Sequence, residues 1–160
     1  MSNDRHPPIL GTRSAHWCEE ADCAVTARAL AARPALRDAI VELRGPLGAG
    51  KTTFVRYLLQ ALGVQGRVKS PTYAVMEPYE LAGGEVWHFD FFRFDDPQEW
   101  EDAGFRDVYA SRGLKIAEWP EKAAGLLPAP DLRIAIEVSD DEQRAVSLEA
   151  HSERGLELLP

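Results

Sequence analysis

A chain of 160 residues, 45% of them hydrophobic, is long enough for one sizeable core and too short for two ordinary domains, so a single domain over residues 1–160 is expected. A formal net charge of -8 excludes a broad basic surface, and with it tight nonspecific binding of nucleic acid by this chain itself. No apolar run is long enough to span a bilayer and Met1 to Leu10 carries no signal-peptide pattern, so the expectation is a cytoplasmic protein with no membrane partner.

Residues up to about 9 are polar and proline-containing and read as a loose N-terminal extension. Leu10 to Trp17 reads as a strand, followed by a helix from Glu19 or Glu20 to about Ala32, with Val25, Ala29 and Ala32 or Leu30 as its apolar stripe. Glu19, Glu20 and Asp22 crowd the first turn, where acidic groups suit the helix dipole. Cys18 and Cys23 straddle this junction with no second pair, and read as structural thiols. Arg33-Pro34 breaks the helix, and the next strand begins near Ala39.

The stretch Gly45-Pro46-Leu47-Gly48-Ala49-Gly50-Lys51-Thr52 fits the phosphate-binding pattern G-x-x-x-x-G-K-[ST] at every fixed position. The apolar run Ala39 to Leu43 before it reads as a buried strand, and Thr53 to Leu62 after it as a helix with Phe54, Leu58 and Leu62 on one face. That is the context the motif requires. Glycines let the backbone approach phosphate oxygens, while successive N–H groups and the helix N-terminus supply partial positive charge. Leu47, Gly48, Ala49, Gly50, Lys51, Thr52 and Thr53 are therefore candidate nucleotide-binding residues, with Lys51 reaching the outer phosphates and Thr52 a candidate Mg²⁺ ligand.

Beyond Gly63 and Gly66 lies Val68-Lys69-Ser70-Pro71-Thr72, either a plain Ser-Pro turn or a switch that senses phosphate. Thr72 to Leu81 reads as a strand, Ala82-Gly83-Gly84 as a tight turn and Glu85 to Phe92 as the returning strand of an antiparallel hairpin. Alternation places Trp87, Phe89 and Phe91 on one face and His88 and Asp90 on the other. A carboxylate among aromatics is costly to bury alone. Asp90 is either ion-paired with Arg93 or another base, or it binds Mg²⁺ through water or orients an attacking water; the phosphate loop favours the second. His88 reads as a core or hydrogen-bonding histidine.

Asp95-Asp96-Pro97 caps a helix from Pro97 to about Glu101, and Phe105 to Ala110 continues in helical or irregular form. Leu114 to Ala117 is a short strand running into Glu118-Trp119-Pro120-Glu121, and a carboxylate at the C-terminal end of a strand sits where α/β folds bind ligands. Trp119 is either a core ring or a partly exposed functional one. Leu126 to Pro130 leads into a strand from Leu132 to Val138, a charged turn from Ser139 to Gln143 and a returning strand from Ala145 to Ala150. Arg144 at that turn reads as a surface charge in preference to a nucleotide contact.

Four segments stand in one order: Gly-Pro-Leu-Gly-Ala-Gly-Lys-Thr-Thr at 45–53, Lys-Ser-Pro-Thr-Tyr at 69–73, His-Phe-Asp-Phe-Phe-Arg at 88–93 and Glu-Trp-Pro-Glu at 118–121. This set resembles the TsaE family, small bacterial ATPases of tRNA threonylcarbamoyladenosine synthesis, from the first predicted strand to the last hairpin. The expected fold is α/β, a single-domain P-loop NTPase-like three-layer fold with a mixed central sheet and β-hairpins. The resemblance implies weak Mg²⁺-dependent hydrolysis of ATP to ADP and phosphate, stimulated by partners. Its role would be to support the TsaD–TsaB pair in placing a threonylcarbamoyl group on adenosine in tRNAs that read codons beginning with A, with tRNA reached through those partners.

Carried over by position, the resemblance gives Lys51 to the phosphates, Thr52 and Glu118 to Mg²⁺, Ser70 to Thr72 to a switch and Asp90 to hydrolysis, and makes Trp119 part of the family signature. It also implies adenine contacts near Glu19 and Arg144. Two positions depart from the family pattern. Pro46 replaces the usual acidic residue after the first glycine, so any contribution of that group to metal or water positioning is lost while the cradle from Gly48 to Thr52 is untouched, and Phe92 replaces a usual tyrosine. Two rival readings remain: a small-molecule P-loop kinase, which usually carries an arginine-bearing lid not found here, and a nucleotide-gated binding module in which hydrolysis is incidental.

Overall fold

A computed structural model describes residues 7–69, 71 and 75–160. Ser70 and Thr72, the expected switch residues, lie outside the described residues. Strands β1 (Gly11–Trp17), β2 (Ile40–Arg44), β3 (Met76–Leu81), β4 (Gly84–Asp90), β5 (Leu114–Glu118), β6 (Leu132–Val138) and β7 (Arg144–Ala150) form one sheet in the order β1-β7-β6-β2-β5-β4-β3. The four central strands β6, β2, β5 and β4 are parallel, and antiparallel pairings of β3 with β4, β6 with β7 and β1 with β7 complete a mixed sheet. Parallel direction brings Arg44, Asp90, Glu118 and Val138 to one edge, with Asp90 and Glu118 paired in register.

Alternation along the strands divides two cores. One face carries Val41, Leu43, Ile116, Ile134 and Leu148 and packs on Phe54, Leu58 and Leu59 of α2 (Lys51–Ala61) and on Ala27 and Leu30 of α1 (Glu20–Ala31). The opposite face carries Phe89, Phe91 and Ala117 and packs on Trp100 of α3 (Pro97–Asp102) and on Phe105 and Tyr109 of α4 (Phe105–Ala110). Helices on both faces of a mixed sheet make the expected three layers. The second core is dense in aromatics: Phe89 meets Phe91 at 5.4 Å and Phe105 edge-on at 5.2 Å.

Several boundaries differ from expectation for local reasons. The first strand of the hairpin starts at Met76, since Val75 sits at φ 64, outside the extended region that a strand needs. The second ends at Asp90, two residues early, because the Asp90 carboxylate accepts the Phe92 N–H at 3.0 Å and turns the chain. In α1 the expected stripe holds only at Leu30: Val25 is 57% exposed and Ala29 and Ala32 face solvent, while Cys23, Ala24 and Ala27 are buried with Leu30. Small side chains on that face let α1 approach α2 closely, and size outweighed hydropathy. The segment 7–10 is held at its described end, with Leu10 N–H donating to Ala150 at 2.8 Å and the Pro7 carbonyl 3.1 Å from His151 Nδ1. A helix that the pattern missed, α5 (Glu153–Leu158), is capped by Ser152, whose hydroxyl accepts the Gly155 N–H at 3.0 Å, and it adds Leu158 to the first core.

The two thiols have different surroundings. Cys18 is exposed, whereas Cys23 is 4% exposed and burial pushes its thiol up to about 11. At pH 8 a thiol reagent should label Cys18 rapidly and spare Cys23 in the folded protein, as mass spectrometry of the labelled chain would read. Equal labelling would mean that α1 opens readily.

Candidate active site

The phosphate loop leaves β2 and enters α2, with Gly48 at φ 80 and Gly50 at φ 103, left-handed positions where a side chain would be strained. Pro46 is exposed, and its carbonyl accepts the Ala49 N–H at 3.1 Å, so its missing N–H does not disturb this turn. Lys51 is only 5% exposed. Its ammonium donates to the Gly45 carbonyl, lies 3.5 Å from the Pro46 carbonyl and stands 3.5 Å from the centroid of the Trp119 ring. Burial pulls its pKa down, against the attraction of Glu118, Glu121 and Asp90.

Next to it, the Thr52 hydroxyl donates to Glu118 Oε1 at 2.8 Å, and His88 Nε2 meets the other carboxylate oxygen at 2.6 Å. Glu118 is 2% exposed and His88 fully buried. A carboxylate only accepts, so His88 carries its proton on Nε2; Nδ1 is buried with no hydrogen-bond partner among the described residues. His88 is thus the hydrogen-bonding histidine that the alternation allowed, and its bond fixes the carboxylate that faces Thr52.

Asp90 completes the cleft of about 270 Å³ that also includes residues 47–53, Phe92, Glu118 and Trp119. Burial pushes its carboxyl above the usual range; the Phe92 N–H opposes this, Glu118 adds to it, and His88 and Lys51 oppose it. Trp119 opens the turn after β5 at φ 55, and its ring lies 5.0 Å from Phe92. The structure therefore brings together Leu47 to Thr53, Asp90, Glu118 and Trp119.

A second cleft of about 280 Å³ shares Ala49, Gly50 and Thr53 with the first and is lined by Trp17, Glu19, Glu20, Cys23 and Arg144. Glu19 and Arg144, far apart in sequence, thus flank one opening beside the loop. No sequence motif marks Trp17 or Cys23 as a site residue. They look like core in the sequence, and only the α1–α2 contact reveals that they also wall a cleft. Arg144 is half-buried, not a free surface charge. Its Nε donates to the Ala49 carbonyl at 2.9 Å, Nη2 to Gly48 at 3.3 Å and Nη1 to Glu142 at 2.8 Å.

Comparison with known proteins gives the family and the fold. A family model described as "Threonylcarbamoyl adenosine biosynthesis protein TsaE" matches residues 18–146. The tRNA threonylcarbamoyladenosine biosynthesis protein TsaE of Haemophilus influenzae is 43% identical over 120 residues, 75% of each chain, and that of Bacillus subtilis 32% identical over 115 residues, 72% of each. A crystal structure of Bacillus subtilis YdiB superposes with a TM-score of 0.74 over 94% of this chain and 93% of that one at 22% identity, a likeness that carries the fold alone. The family match spans the loop, the hairpin strand bearing His88 and Asp90, and the Glu118–Trp119 turn, and on it the chain belongs to the TsaE family of threonylcarbamoyl adenosine biosynthesis proteins.

Proposed function

We propose that this protein is a Mg²⁺-dependent ATPase that supports a TsaD–TsaB pair in the threonylcarbamoylation of tRNA adenosine. The observation that carries the reading is the Thr52 hydroxyl set 2.8 Å from the Glu118 carboxylate at the start of α2, in one cleft with Lys51 and Asp90. A hydroxyl and a carboxylate are hard oxygen donors, and Mg²⁺ at nucleotide sites takes one or two protein oxygens with phosphates and water filling the rest. Thr52 and Glu118 fit that demand. When bound, Mg²⁺ would neutralise charge on the outer phosphates.

The chain's own residues supply the remainder. Backbone N–H groups of Gly48 and of Gly50 to Thr52 hold phosphate oxygens, Lys51 exchanges the Gly45 and Pro46 carbonyls for phosphate, and Asp90 orients water for in-line attack. The base enters the neighbouring cleft between Trp17, Glu19 and Cys23. Among the described residues no arginine lines the cleft that holds Lys51 and Asp90, so hydrolysis by the isolated protein is slow and a partner speeds it by completing the site.

The test follows free phosphate and modified adenosine together, with and without TsaD, TsaB and tRNA. Stimulated phosphate release with repeated rounds of modification is expected, and a nonhydrolysable ATP analogue should not sustain them. Asp90→Ala should bind ADP within a few-fold of the parent and turn over on the order of a hundredfold more slowly in the assembled complex. Parental turnover by that variant would remove Asp90 from the mechanism; phosphate transfer to an acceptor without free phosphate would favour a kinase.

A further inference from the structure

The geometry points to Arg144 as the residue that positions the phosphate loop, acting on the nucleotide through the loop backbone and not by touching the base. The inference rests on the nucleotide-binding reading above. Arg144 opens β7, paired with Val138 of β6 on one side and Trp17 of β1 on the other, so its Cα is fixed within three adjacent strands. Trp17 is itself locked, 2% exposed, stacked at 5.8 Å on Phe54 of α2 and donating its indole N–H to Thr26 at 2.9 Å. From this anchor the guanidinium spends its donors on three backbone carbonyls, those of Ala49, Gly48 and Glu142.

The effect on the loop follows from peptide planarity. Carbonyl and N–H of one trans peptide point in opposite directions. With the Ala49 carbonyl turned to Arg144, the Gly50 N–H must point away from the guanidinium; with the Gly48 carbonyl turned there too, the Ala49 N–H is directed back to the Pro46 carbonyl, where it bonds at 3.1 Å. A planar fork holds these two carbonyls in fixed directions while a third N–H reaches Glu142, a geometry that the point charge of a lysine ammonium does not reproduce. The third bond reaches Glu142, which sits at φ 64 in the β6–β7 turn, closed by Ser139 N–H to the Gln143 carbonyl at 2.8 Å. Arg144 thus ties the turn and the loop into one unit, with one N–H from each of its three nitrogens bonded to a backbone carbonyl.

The experiment is calorimetric titration of the full chain with Mg²⁺ and ADP, GDP or pyrophosphate, for the parent, Arg144→Lys and Arg144→Met, with amide hydrogen exchange of residues 46–52 in the absence of nucleotide. Both variants should lose affinity for ADP and for pyrophosphate by one common factor, on the order of tenfold. The ADP-to-GDP ratio should stay at the parental value, and exchange in the loop should accelerate. A base contact would instead collapse the ADP-to-GDP ratio and spare pyrophosphate, and a surface charge would change nothing; either result overturns the inference. Failure of the parent to bind ADP or pyrophosphate would overturn the nucleotide reading itself. A parent that binds beside variants that bind equally well with unchanged exchange would sink only the role of Arg144.

Discussion

Lys51→Ala is expected to weaken ATP binding by a hundredfold or more and to leave no measurable partner-stimulated hydrolysis. Lys51 is 5% exposed and its ammonium sits between loop carbonyls and the Trp119 ring, so it is a cation already stripped of most water. A hydrogen bond to a charged group contributes about 1.5–3 kcal/mol, and one ammonium serving two phosphate oxygens supplies two of them, which at 1.4 kcal/mol per decade gives the hundredfold. Loss of a preorganised donor to the charge that develops during transfer removes roughly another 10²–10³ from turnover. Lys51→Arg should not rescue either quantity, because a planar guanidinium cannot occupy the slot between Gly45 and the face of Trp119 that the compact ammonium fills. Equilibrium binding of ATP, with thermal unfolding as the check on folding, decides the matter. An alanine variant that binds within a few-fold of the parent would mean that Lys51 is held by its own loop for structural reasons alone.

The loop was legible because each requirement is local: four fixed positions, an apolar run before them and a helical stripe after them. The hairpin and the end of β5 were legible for the same reason, since alternation and turn chemistry act over a few residues. Contacts that depend on which strands lie side by side were not. His88 meets Glu118 only because β4 runs parallel to β5 with Asp90 and Glu118 in register, a pairing that no short-range pattern states. A signal was present all the same: His88 lies two residues before Asp90, on the same strand face as that carboxylate. Arg144 reaches the loop across 95 residues of sequence, which is why the charged turn around it looked like ordinary surface. In α1 the hydrophobic stripe misled because small residues, Cys23, Ala24 and Ala27, were buried in preference to Val25. The Ser152 cap of α5 was visible in the sequence, but six residues near the chain end carry too little periodicity to declare a helix.

Glu118 carries two burdens, and substitutions should separate them. In Glu118→Ala the buried His88 Nε2–H loses its acceptor and the Thr52 hydroxyl its partner, at a cost of about 3 kcal/mol or more. For a domain of this size that is a fall in melting temperature of roughly 6–12 °C. Mg²⁺-dependent nucleotide affinity falls in the same variant, but the loss of fold alone would explain it. Glu118→Gln resolves the ambiguity, since its amide oxygen still accepts from His88 and its NH₂ faces the Thr52 hydroxyl, so the melting temperature should stay close to the parent's. What it lacks is the negative charge. Nucleotide affinity in the presence of Mg²⁺ should therefore fall on the order of ten- to a hundredfold, while affinity in chelator should barely change. His88→Leu acts one step further out, freeing the carboxylate that His88 holds, and should weaken the Mg²⁺ dependence by a comparable factor with Glu118 still present. Should Glu118→Gln show the parent's Mg²⁺ dependence, the Thr52–Glu118–His88 chain is a structural network and the metal must be held by other groups, with Asp90 the first to test.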